Sequence, residues 1–160
     1  MNKENYLRLL MIMLLSLPMM VACSSDDKDE PQDETSTASI EYLCSTLMWV
    51  YAPDSGIKSG EEYESFFFGK IGNDLICTIT KSVGGSKETS LKRYNFTYTP
   101  PTISLKERQD ITGIDVPGGE TRTLTVYKLT RPKYANLTQD WLLINGKQYA
   151  SSIGGGININ

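Results

Sequence analysis

Within residues 91–99 the stretch 94–99 alternates without a break, with Tyr94, Phe96 and Tyr98 on one side and Asn95, Thr97 and Thr99 on the other. A period of two marks a strand with one buried face. The same reading predicts strands over 62–70, rich in Tyr and Phe, and over 75–81, where Leu75, Cys77 and Ile79 share a face. Pro100-Pro101 interrupts the series and Ile103-Ser104-Leu105 resumes it, followed by 111–116, 121–130, 141–144 and 148–150. Turn chemistry punctuates these runs at Gly69-Lys70-Ile71-Gly72-Asn73-Asp74, Val83-Gly84-Gly85-Ser86, Pro117-Gly118-Gly119 and the hairpin signal Asn145-Gly146. Upstream, Ile40, Leu43, Cys44, Leu47, Met48 and Tyr51 fall at helical spacing behind Ser39, a good capping residue. The run 47–51 is nevertheless strand-like and closes on Ala52-Pro53-Asp54-Ser55-Gly56. The pattern predicts a helical turn near 40–44 feeding a first strand at about 46–52.

No amphipathic helix separates the strands, so neighbours are expected to pair antiparallel, because parallel pairing needs long crossovers. The expected fold is all-β, a small antiparallel meander barrel of about eight strands, with a β-sandwich as the alternative. A closed barrel of this size leaves either a filled interior or room for one small ligand.

The first residues follow a different pattern. Lys3 and Arg8 precede a stretch, 9–21, that is apolar apart from Ser16 and Pro18. It is shorter than the ~20 residues a membrane-spanning helix needs, and reads as the hydrophobic region of a signal peptide. Met20-Val21-Ala22-Cys23 resembles the bacterial lipoprotein cleavage box, with Met20 where leucine is usual; the resemblance implies lipidation of Cys23. Ser24-Ser25-Asp26-Asp27-Lys28-Asp29-Glu30-Pro31 resembles the acidic export tag of surface lipoproteins in some Gram-negative anaerobes, which implies display at the outer membrane, facing outward. By composition alone this segment cannot bury surface and reads as a solvated tether. The expected organisation is a signal over 1–22, an acidic flexible tether over 23–38, a barrel over 39–150 and a flexible glycine-rich tail over 151–160. The expected membrane contact runs through acyl chains on Cys23, each buried methylene contributing about 0.8 kcal/mol.

Charge and composition narrow the function. The chain has 160 residues with 16 basic and 19 acidic side chains and no histidine. Six acids and one base give 24–38 a charge of −5, whereas 13 bases and 12 acids leave 39–160 at +1. A balanced body lacks the clustered cations that hold a phosphate backbone, so nucleic acid is not an expected partner. The lack of histidine removes imidazole as catalytic base or metal ligand. Cys44 and Cys77 can form one disulfide outside the cytoplasm or remain buried thiols. Two cysteines alone make no tetrahedral zinc site, and the glycine clusters match neither G-x-G-x-x-G nor a P-loop. Neither metal nor cofactor is expected.

Glu62 and Glu64 share a strand face beside Glu61, the one carboxylate group worth weighing for glycosidase chemistry. Adjacent glutamates on a solvated face are far commoner, and the chain is read as non-catalytic. Arg122, Lys128, Arg131 and Lys133 read as solvated strand positions. Trp49, the Tyr94-Asn95-Phe96-Thr97-Tyr98 strand before the proline pair, Leu124-Thr125-Val126 and Trp141-Leu142-Leu143-Ile144-Asn145-Gly146 are together similar to small lipocalin-like lipoproteins of bacterial outer membranes. The resemblance implies a meandering calycin-type barrel. Nothing here reproduces the lipocalin Gly-x-Trp signature, since Leu47-Met48 precede Trp49. The expected function is a binding or accessory module for a small apolar or glycan ligand, with Trp49, Tyr94, Phe96, Tyr98 and Trp141 as the candidate contacts; core packing is the competing use of those rings. A structural subunit of a surface complex, or an inhibitor with a filled barrel, is the alternative.

Overall fold

Each long strand carries one apolar face, and a sheet that curls until its outermost strands pair buries all those faces together. The computed structural model describes residues 32–110 and 112–152. The signal, Cys23, the tether up to Pro31, Ile111 and the tail from 153 lie outside the described residues. The elements are β1 (Glu34–Thr37), α1 (Ile40–Leu43), β2 (Trp49–Tyr51), β3 (Glu62–Ile71), β4 (Asp74–Val83), β5 (Thr89–Thr99), β6 (Thr102–Glu107), β7 (Thr121–Thr130), a 3-10 turn (Pro132–Tyr134), β8 (Trp141–Ile144) and β9 (Lys147–Ser151).

The ring runs β7-β6-β5-β4-β3-β2-β9-β8, and β8 pairs back onto β7 through Val126↔Ile144, Tyr127↔Leu143 and Lys128↔Leu142. Every ladder is antiparallel. The result is a closed eight-stranded meander barrel, and the β7–β8 ladder excludes the open sandwich. Short turns keep the meander in register: Gly72-Asn73 joins β3 to β4, and Pro100-Pro101, with a cis peptide, joins β5 to β6. At Asn145-Gly146 both residues take positive φ, 49° and 75°, as a two-residue turn matched to strand twist requires.

Two local expectations change. Residues 34–37 belong to the fold: β1 lies outside the ring on β7, along 127–130, beyond the stretch at 121–125 that β6 occupies. The flexible tether therefore does not extend to residue 38, whose side chain sits in the core at 2% exposure. β1 is exposed at all four positions, so it has no alternation to read. The strand expected at 111–116 is not formed. Ile111 lies outside the described residues, and the rest is a loop with one bridge, Arg108↔Asp115. Asn95 holds that loop against the outer wall, its Nδ2 donating to the Gly113 carbonyl at 2.9 Å and to Asp115 Oδ1 at 2.8 Å. Of the two states open to them, Cys44 and Cys77 are free thiols. Cys77 points into the barrel core, where burial pushes its thiol pKa far up.

One end of the barrel is plugged. Ser39 caps α1 by accepting from the Tyr42 amide at 3.1 Å, and the single turn places Leu43 in the core. Trp49 Nε1 donates to the Leu43 carbonyl at 2.8 Å, and the Tyr98 hydroxyl donates to the Ala38 carbonyl at 2.7 Å. These bonds satisfy polar groups that the plug would otherwise bury alone. Above it Phe66, Phe68, Ile79, Tyr94, Phe96, Ile103, Leu105, Leu124 and Val126 fill the interior. The outer wall is polar: Arg93, Thr97, Ser104, Lys106, Thr123 and Thr125 are exposed. A bilayer-spanning barrel needs an apolar outer band instead, so this wall suits water. No helix among the described residues is long and apolar enough to cross a membrane.

Candidate functional site

The inward faces change character at the end opposite the plug. Counting along each strand by twos, Phe68 and Phe66 lead to Glu64 on β3, Cys77 and Ile79 to Lys81 on β4, Tyr94 to Lys92 on β5, Leu105 to Glu107 on β6, and Leu124 to Arg122 on β7. Strand register brings these charges together. Arg122 grips Glu64 with two bonds, Nη1 to Oε1 at 2.9 Å and Nη2 to Oε2 at 2.8 Å. Lys81 stands 3.8 Å from Glu64, and Glu120 stands 3.9 Å from Arg122 Nε. Glu120 also accepts from Lys92 at 2.8 Å and from the Tyr94 hydroxyl at 3.2 Å.

Bidentate guanidinium–carboxylate pairs combine charge with fixed geometry. The hydrogen bond to Glu64 is the main reason the Arg122 pKa is raised further, against the opposing effect of burial. The hydrogen bond from Lys92 is the main reason the Glu120 pKa is lowered. This ion network fills one side of the barrel mouth.

The other side is open, a cavity of about 550 Å³ between β3, β4, the start of β5 and the β8–β9 hairpin. Phe66 and Ile144, each 1% exposed, form its floor. Tyr63 and Tyr149 line it, with Tyr51 linking them: Tyr51 stacks on Tyr63 at 6.2 Å and tilts against Tyr149 at 5.8 Å. Tyr149 meets the edge of Phe66 at 5.3 Å, and Lys147 Nζ stands 5.6 Å over the Tyr51 ring. Glu62, Glu64, Lys81, Ser82, Glu88 and Ser90 line the same cavity. Burial, then the Glu64 charge, pushes the Tyr149 phenol far above its ordinary pKa, so it stays a neutral hydrogen-bonding group. A cavity that combines aromatic rings with donors and acceptors can hold a ring with apolar faces and polar edges.

None of the five residues expected to contact a ligand lines this cavity. Trp49, Tyr94 and Phe96 are buried in the core, and Tyr98 is half-buried against the plug. Trp141 faces the opposite way, outside the barrel wall, with Leu129, Ala150 and Tyr134. The alternation at 94, 96 and 98 identified the inward face, but the plug decides which end of that face is sealed. Glu64 and Arg122 read as solvated strand residues in sequence; register across 58 positions makes them a pair inside the mouth. Their signal was the shared face of Glu62 and Glu64.

A second charged centre lies near the plugged end. Arg131, its side chain 3% exposed, donates from Nε to Asp33 at 3.0 Å and from Nη2 to Asp54 at 2.7 Å. Its guanidinium packs 4.5 Å from the Tyr134 ring and 4.8 Å from that of Trp141. It therefore ties the residue before β1, the β2–β3 loop and the β7–β8 connection together, and is no solvated strand cation. Comparison with protein-family models, with curated proteins and with solved structures returns no match for this chain.

Proposed function

We propose that this chain is a lipid-anchored outer-membrane lipoprotein whose barrel mouth binds a small glycan, without catalysing its conversion. The carrying observation is the open cavity lined by Tyr63 and Tyr149 together with Glu62, Glu64 and Lys81. A sugar ring presents C–H faces to aromatic rings and hydroxyls to carboxylates and ammonium groups, so both kinds of lining group are used. A purely apolar ligand would strip water from those charged groups and give nothing back, a cost of several kcal/mol. Of the two ligand classes expected from sequence, the glycan is favoured. Both Glu64 oxygens are engaged by Arg122, so Glu64 is not free to pass a proton to a leaving group. A filled barrel acting only as a subunit or inhibitor would leave this cavity without a role. The anchoring part of the proposal is supported by the cleavage box at Cys23 and the acidic segment after it, with attachment by acyl chains at the cell surface.

Calorimetric titration of a soluble chain beginning at Ser24 against glycan and fatty-acid panels tests the binding. At least one glycan family is expected to bind, with Tyr63→Ala weakening it about tenfold, the scale of one aromatic contact. Fatty acids binding more tightly than any glycan, or glycan affinity indifferent to Tyr63→Ala, contradicts the proposal. Tryptophan emission is a poor monitor, since Trp49 and Trp141 both lie off the cavity.

A further inference from the structure

In a meander barrel, alternate connections gather at the same end. Three connections at the plugged end carry an exposed aliphatic side chain: Leu47 between α1 and β2, Ile71 at the β3–β4 turn and Leu137 between β7 and β8. The ring order β8-β9-β2-β3 makes these positions neighbours, on one arc beside α1. Tyr42 of α1 lines a groove of about 280 Å³ with Lys128, Tyr134, Leu137 and Trp141. Lys70, next to Ile71, lies close enough to α1 for its charge to act on Glu41 and Cys44. The chain enters the barrel at this same end, since Glu34 pairs with Thr130, the end of β7 remote from Arg122 in the mouth. Ten residues lead from Cys23 to Asp33, and such a length spans about 36 Å at most.

We infer that the plugged end rests on the lipid surface that holds Cys23, with Leu47, Ile71 and Leu137 dipping into the headgroup layer and the mouth facing away from the bilayer. This rests on the anchoring part of the proposed function and adds the orientation of the barrel. Leu91 and Ile114 are exposed at the mouth end, but turning them to the lipid would make those ten residues pass the height of the wall. From Arg122 to Thr130 is about 26 Å along the strand, or about 20 Å in height at the usual barrel tilt, more than half of full extension. Resting on the plugged end needs no such extension and leaves the cavity open to solvent. At this end Lys70, Lys128 and Lys133 are balanced by Glu41, Asp74 and Asp140, so the contact is apolar rather than a response to anionic lipid. Three side chains do not hold a soluble barrel on a membrane. The anchor does that, and it keeps them at a local concentration on the order of mM, where weak contacts are occupied.

The test uses the protein purified from membranes with its acyl chains and placed in phosphatidylcholine nanodiscs that carry a gadolinium-chelating lipid. Relaxation enhancement of each amide then reads its distance from the lipid surface. Enhancement is expected to be severalfold stronger at Leu47, Ile71 and Leu137 than at Glu62, Lys81 and Lys147, and to keep that gradient from low to high salt. Leu47→Ser, Ile71→Ser and Leu137→Ser should each weaken the gradient, and combined should level the two ends while the thermal midpoint stays near wild type. Enhancement equal at both ends, or greatest at the mouth, overturns the orientation and leaves the anchor standing. A gradient that the combined variant keeps, or that salt abolishes, overturns the apolar contact. A protein that carries no acyl chain and stays out of the discs overturns the anchoring reading, and the orientation with it.

Discussion

Arg122 and Glu64 show how little the local sequence says about a side chain's charge environment. Both occupy strand positions that resemble solvated faces, yet each is about a quarter exposed and paired with the other. Removing one partner should therefore cost more than a surface ion pair. Arg122→Met is expected to lower unfolding free energy by about 2 kcal/mol, since Glu64 is left facing Phe66 without its fork. Combining it with Glu64→Gln should recover part of that loss, as a coupled pair requires. Urea unfolding of the three variants checks both statements. The titratable groups set the pH range. Hydrogen bonds from Arg131 and Lys92 hold the Asp54 and Glu120 pKa values below 3.8 and 4.5 respectively. Their contribution is full above those values and disappears as pH falls through the lower folded ones. At the other extreme, burial raises the Tyr42 phenol from 10.0 to about 12. Above pH 10 the unfolded chain ionises this phenol first, so stability should decline towards pH 12. A denaturation midpoint that is flat near neutrality, falls below about pH 4.5 and falls again above pH 10 is the expected profile.

At the scale of elements, the strands with one buried face were legible because alternation is enforced by burial. β4, β5 and β7 show it, whereas β3 and β8 read as aromatic or apolar runs, and turn residues mark their ends. β1 escaped because Glu34-Thr35-Ser36-Thr37 is exposed throughout and is held by main-chain bonds to β7, which leave no side-chain pattern. The run at 112–116 misled for the opposite reason. Its branched residues suit a strand, but beyond the one bridge Arg108↔Asp115 it pairs with no strand, and Ile114 remains 65% exposed. These two cases also define a test. A chain starting at Ser39 loses β1, the Asp33–Arg131 bond and the carbonyl that accepts from Tyr98. It is expected to fold into the same barrel with stability lower by about 2 kcal/mol or more, relative to a chain starting at Ser24. Equal thermal midpoints would show that β1 contributes nothing.

At the scale of the molecule, closure was legible from strand count and short turns, whereas the polarity of the barrel was not. Which end is plugged depends on where α1 folds back, and on a register that places charges from β3, β4 and β7 in one mouth. Proposed contacts chosen by residue type alone consequently fell in the core or outside the wall. The chemistry of Cys23 belongs to this scale as well. Cys23→Ser is expected to abolish both palmitate incorporation and co-flotation with membranes, while leaving the soluble barrel's unfolding curve unchanged; label uptake by the serine variant would place the anchor elsewhere. The most direct test of the binding account is amide chemical-shift mapping on the chain from Ser24 during titration with a bound oligosaccharide. The account predicts shifts confined to Glu62–Phe66, Lys81–Val83, Glu88–Ser90 and Ile144–Tyr149, with Trp49, Tyr98 and Trp141 unmoved. Shifts centred on α1, Tyr98 or Trp141, with the mouth silent, would contradict it.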